Sequence, residues 1–103
     1  MPNTFKRYPS SASVGTTAET VYTVAASTTS VLIGVNLANV TTSQIKVDVQ
    51  AAGVYVVKGV PIPANSSLSA LDGKIILEAA DTVVVTSNTA SSCDVLLSVL
   101  EQT

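Results

Sequence analysis

Gln44-Ile45-Lys46-Val47-Asp48-Val49-Gln50 is the stretch whose reading decides the fold class. Successive side chains of a strand point to opposite faces. Ile45, Val47 and Val49 therefore share a core side, and Lys46, Asp48 and Gln50 share a wet side. Downstream, Ala51-Ala52-Gly53 reads as a tight hairpin connection, and Val54 to Lys58 returns. Upstream, Asn39 to Ser43 is a turn, preceded by a strand over Ser30–Ala38. A single alternation through that strand puts Val31, Ile33, Val35 and Leu37 on one face and Leu32 on the other. Glu19–Val24 is the first strand, and Ala25 to Thr29 is the polar turn after it.

Beyond the hairpin, Pro61-Ile62-Pro63 interrupts, because proline lacks the amide that a central strand needs, and a crossover loop is expected there. Ser67–Ala70 is a short strand. Asp72-Gly73 is a hairpin signal leading into Lys74–Glu78. Thr82–Ser87 follows a turn at Ala79-Ala80-Asp81, and Ser92–Glu101 is the last strand. Its Cys93, Val95, Leu97 and Val99 lie on one side, with Leu96 and Leu100 on the other. No segment carries a helical period. The expectation is an all-β domain over residues 19–103, a compact antiparallel β-sandwich of about eight strands, jelly-roll-like or immunoglobulin-like. Ile45, Val47, Val49, Val83, Val85, Val95 and Leu97 are its expected core.

Composition supports this and removes many functions. Of the 103 residues, 35 are Val, Ile or Thr, which suit a pleated surface. Charged residues make up 12% and the formal net charge is −2. The five basic residues are scattered and form no footprint for nucleic acid. There is no His, so zinc would depend on carboxylates and the single Cys93, and no serine has an imidazole base. The acidic residues Asp72, Glu78 and Asp81 read as turn and strand-end residues rather than a calcium site. Cys93 alternates with Val95 and Leu97, so it reads as a small buried hydrophobe. No cofactor, metal or catalytic residue is expected. No apolar run approaches the roughly 18 residues of a membrane-spanning helix. Lys6 and Arg7 are followed by no apolar run either, so no secretory signal is read.

Residues 1–18 lack the alternation and contain Pro2, Pro9 and several Ser and Thr. They read as an extended N-terminal arm. A disordered tail is the commoner fate of such a terminus. Yet Phe5 and Tyr8 are two of the four aromatic residues, and they flank Lys6 and Arg7. Eighteen extended residues reach about 60 Å, further than such a domain is wide. Phe5, Lys6, Arg7 and Tyr8 are therefore candidate partner contacts. A sandwich buries one face of each sheet, so Leu32, Leu96 and Leu100, on the second faces of their strands, are candidates for a subunit interface.

Four stretches carry a resemblance. They are Ser30-Val-Leu-Ile-Gly-Val-Asn-Leu-Ala-Asn39, Gly53-Val-Tyr-Val-Val-Lys58 with its Pro61-Ile-Pro63 loop, Lys74-Ile-Ile-Leu-Glu78, and Ser91-Ser-Cys-Asp-Val-Leu-Leu-Ser-Val-Leu-Glu101. In order and spacing they resemble short virion structural proteins of tailed bacteriophages, notably cyanophages, across roughly residues 19–103. The resemblance implies a non-enzymatic building block, whether a capsid decoration or cement protein or a component of neck or tail. Its implied partners are copies of itself and other virion proteins, with no membrane, and its implied place is the virion after synthesis in the host cytoplasm. The alternative from another class is a carbohydrate- or receptor-binding module at a fibre or tail tip, for which Tyr22 and Tyr55 are the available rings.

Overall fold

A computed structural model describes residues 3–10, 13–71 and 73–103. Nine strands follow one another: β1 (Asn3–Pro9), β2 (Glu19–Thr23), β3 (Thr29–Asn39), β4 (Ile45–Ala51), β5 (Val54–Ile62), β6 (Ser67–Ser69), β7 (Ile75–Leu77), β8 (Thr82–Ser87) and β9 (Cys93–Gln102). There is no helix among the described residues. One sheet has the order β1-β9-β3-β6, with β7 also on β3, and the other has the order β2-β8-β4-β5. All pairings are antiparallel.

Taking β6 and β7 as one interrupted strand, the first strand pairs with the last and the second with the second-last. The third pairs with the sixth and the fourth with the fifth. This nested order is the connectivity of a jelly roll, in which a long hairpin rolls into two packed sheets. Among the described residues only β4 and β5 form a consecutive hairpin, through Ala52 and Gly53, both at positive φ (53° and 77°) as a primed two-residue turn requires.

The core lies between the sheets. Ile45, Val47 and Val49 from β4, Val83 and Val85 from β8, and Val95 and Leu97 from β9 are all buried, as their alternation predicts. Leu77 and Ile62 close the two ends of the same cluster. Asn39 pins the β3–β4 turn to the end of β5. Its Nδ2 donates to the carbonyls of Ser43 (2.8 Å), Ile62 (3.0 Å) and Pro63 (3.1 Å), while its Oδ1 accepts from Thr41.

Three sequence expectations are corrected. Leu32 is not at an outer face but fully buried in the core. The reason is a bulge: Leu32 faces Val99 and Gly34 faces Ser98, leaving Ile33 as the extra residue. Before the bulge the even positions Ser30 and Leu32 point inward, and after it the odd positions Val35 and Leu37 do. Secondly, Pro61 lies within β5 rather than in a crossover loop. β5 is an edge strand, so its missing amide leaves no gap inside the sheet. Thirdly, β6 and β7 lie one after the other along β3 instead of forming a hairpin with each other. Asp72, half of the expected hairpin signal, is outside the described residues.

The register of β9 is testable with adjacent leucines. Leu97→Ala should cost about 2–5 kcal/mol, because it leaves a cavity in a closed core. Leu96→Ala, on the outer face, should cost about 0.5 kcal/mol or less. Chemical denaturation of the two variants reads the difference.

Candidate functional site

The N-terminal segment is where the chain departs most from a plain sandwich. Residues 3–9 are extended, as the reading of an arm expects, and they lie on the chain's own sheet as β1, paired with β9 from Asn3 opposite Gln102 to Pro9 opposite Leu96. The contact continues past β1. Ser10 N–H donates to the Val95 carbonyl (2.8 Å), and Val14 bridges to Cys93. Gly15 then crosses towards the second sheet and accepts from Ser87 N–H (2.9 Å). A Cβ at Gly15 would stand 3.1 Å from the Ser91 nitrogen, so the crossing needs glycine for close approach.

Two of the four expected contact residues of the arm point inward. The Tyr8 hydroxyl donates to Glu101 Oε2 (2.7 Å), and Lys6 Nζ lies 3.3 Å from Glu101 Oε1. From the opposite sheet the Tyr22 hydroxyl donates to Oε2 as well (2.6 Å) and shares a hydrogen bond of 2.5 Å with Ser30 Oγ. The Tyr8 and Tyr22 rings stack with centroids 4.4 Å apart. Glu101 is thus a nearly buried carboxylate with every contact that its burial demands. The Tyr22 hydrogen bond is the largest influence holding its pKa below the ordinary carboxylate range, with Tyr8 and Lys6 adding to it against the cost of burial. Burial and the Glu101 hydrogen bond push both tyrosines up to about 12.

The other two, Phe5 and Arg7, point outward. Phe5 faces Leu100, Leu100 faces Val31, and Val31 faces Ile76. These four residues make one straight row across β1, β9, β3 and β7, about 14 Å long at the usual strand spacing. Phe5 is 75% exposed and Ile76 63%, with Leu100 and Val31 half-buried between them. The bulge turns Ile33 (37% exposed) out beside this row, and Leu96 (41%) lies further along β9. The apolar surface of this face is on the order of a few hundred Å², the size of the largest patch on a typical monomer, which is often functional. Among the described residues Arg7 and Asp94 are the only charged strand residues on it, and Asp94 already accepts from Ser13 Oγ (2.6 Å). Leu96 and Leu100, named from their alternation, thus belong to the outer face. Ile33, Val31 and Ile76 were missed there, because a bulge and a strand interruption are invisible to a count of two.

The second sheet is different in kind. Of the two rings considered for a sugar platform, Tyr22 is buried in the polar cluster, which corrects its candidacy. Tyr55 is half-exposed, but Lys58 Nζ sits 4.6 Å from its ring centre and also pairs with Asp48 at 3.3 Å. Asp48 Oδ1 further accepts from the Gly59 amide, so these polar groups largely satisfy one another. Burial pushes the Cys93 thiol up to about 11, which leaves it protonated and unreactive at neutral pH.

The cluster has a pH signature. A depressed carboxylate contributes stability above its unfolded pKa and loses it as pH falls. The raised tyrosines contribute fully below their unfolded value and lose it as pH rises from about 10 to about 12. Stability should therefore be flat near neutrality, fall below about pH 4.3, and fall again above about pH 10. Glu101→Gln should cost about 1–3 kcal/mol at pH 7 and flatten the acid limb, as read by melts across pH.

No family model matches this chain, and no curated protein matches it either.

Proposed function

We propose that this chain is a non-enzymatic structural protein of a tailed-phage particle, associating with copies of itself and binding capsid, neck or tail proteins through the outer face of the β1-β9-β3-β7 sheet. The observation that carries the reading is the row Phe5–Leu100–Val31–Ile76. It crosses four strands on a face with two charged strand residues, and it stands out of the domain rather than lining a cavity. Such a face binds by area and shape, which suits a building block. The strand text over residues 19–103, which resembles short phage virion proteins, supports the same reading. Nucleophile–base pairs available to this composition would have to do without histidine, and Cys93 is buried.

A second reading, a glycan- or receptor-binding module at a fibre or tail tip, rests on Tyr55, which stands with Gln50 and Asp48 on the outer face of β4 and β5. The Lys58 ammonium over that ring competes with sugar stacking, so this reading is the weaker one.

The two separate by mutation. Phe5→Ser with Ile76→Ser should leave the melting temperature within a few degrees, because both side chains are exposed. It should reduce incorporation into particles assembled in infected cells by tenfold or more, counted by quantitative mass spectrometry. Tyr55→Ala should leave incorporation unchanged. Normal incorporation of the Phe5/Ile76 variant overturns the docking face, and loss of incorporation or adsorption with Tyr55→Ala favours the second reading.

A further inference from the structure

The sandwich has four sheet edges, and three of them are blunted. β6 and β7 are three residues each. β2 carries a register shift between Thr20 and Tyr22. β5 carries two shifts against β4, with Gly59 at positive φ and Pro61 near its end. Such devices keep an edge from pairing with a foreign strand. β1 carries one of them, Pro9 at its last position, but it has no shift: seven residues run in one unbroken register with β9. Lys6, the charged residue that β1 turns inward, has its charge paired by Glu101 of the same chain, so it opposes a second strand less than a free ammonium would.

The direction of the free hydrogen-bonding groups on β1 follows from its ladder. Ser10 N–H donates to the Val95 carbonyl, so Ser10 and Val95 are a hydrogen-bonded pair. In an antiparallel ladder such pairs alternate, so Tyr8, Lys6 and Thr4 also bond to β9. Asn3, Phe5 and Arg7 then direct N–H and C=O to the open side, together with the carbonyl of Pro9. Pro9 fits this parity, since the amide it lacks would have faced outward.

We infer that β1 is an association edge at which two copies of this chain join antiparallel about a two-fold axis at Lys6, making one sheet that runs through both. The inference deepens the structural role proposed above and rests on that reading for the association of copies. The register follows from overlap. With Lys6 at the axis, all of β1 is used, Phe5 faces Arg7 of the second copy, and Asn3 faces Pro9. About six main-chain hydrogen bonds form, and only proline's missing amide is lost at each end. Sliding by one pair, to set Phe5 on Phe5, also allows about six bonds but shortens the overlap of described residues to 3–7 and gives up both Phe5–Arg7 pairings. In the Lys6-centred register each Phe5 ring lies beside an Arg7 guanidinium, a favourable cation–π pairing made twice. The strand is therefore complementary to itself, as a two-fold interface requires. The facing lysines are each held by their own Glu101. The axis is perpendicular to the sheet, so the apolar rows of both copies lie on one side and present a single doubled surface.

The test uses the full chain in solution. Sedimentation velocity across concentration should show a monomer–dimer equilibrium. Hydrogen exchange should show the Phe5 and Arg7 amides protected at dimeric concentrations and exposed on dilution, with Lys6 and Tyr8 protected in both. Arg7→Pro removes an outward amide and keeps the ladder to β9, so it should weaken association at least tenfold, whereas Arg7→Lys should retain it. If wild type dimerises but its Phe5 and Arg7 amides exchange freely, the edge assignment is overturned while association of copies stands. If the chain is monomeric throughout, the inference is overturned, and the docking face is still judged separately by particle incorporation.

Discussion

A carboxylate inside a β-sandwich is tolerated only where donors meet it, and Glu101 is met by Tyr8, Tyr22 and Lys6 from two different strands. Because those donors come from both sheets, the same acid that would otherwise be a liability ties them together. β1 comes from the opposite end of the chain from Glu101, and β2 belongs to the other sheet. Taking the carboxylate away would leave the buried Tyr22 and half-buried Tyr8 hydroxyls without their shared acceptor and an ammonium without its counter-charge. The cluster thus adds side-chain ties at the same residues, Lys6 and Tyr8, by which β1 is paired to β9.

From that placement the working surfaces follow. With Lys6 and Tyr8 drawn inward, the pleat sends Phe5 and Arg7 outward. Phe5 then comes level with Leu100, Val31 and Ile76, and four separate strands deliver one apolar row. Holding β1 in register also exposes its free backbone along one side. The same strand thus carries both surfaces on which the proposed associations rest, an outer face and an open edge. In the proposed reading such a domain would bind along two orthogonal directions, as a component repeated many times in a particle would.

The bulge at Ile33 shows how one residue redistributes apolar surface. It moves Leu32 into the core beside Val99 and places Ile33 outside. A strand that looks apolar on both faces is in truth two half-strands of opposite phase, each with one buried side. The β9 strand has no such shift, and its second-face leucines remain outside as their positions imply.

The sequence by itself determined the class of fold and most of its core. Alternation in β4, β8 and β9 is local, and a period of two survives whatever the neighbours are, so Ile45, Val47, Val49, Val83, Val85, Val95 and Leu97 could be assigned from residues alone. Leu96 and Leu100 were legible on the outer face for the same reason. What only the tertiary structure decided is everything that depends on pairing between distant strands. The nested strand order, the bulge opposite Val99 and the merging of β6 and β7 along β3 leave no periodic mark. The fate of Phe5, Lys6, Arg7 and Tyr8 belongs here too. Which two point inward follows from the register of β1 on β9, and a pairing between the two ends of the chain is fixed by folding the whole chain, not by any local pattern.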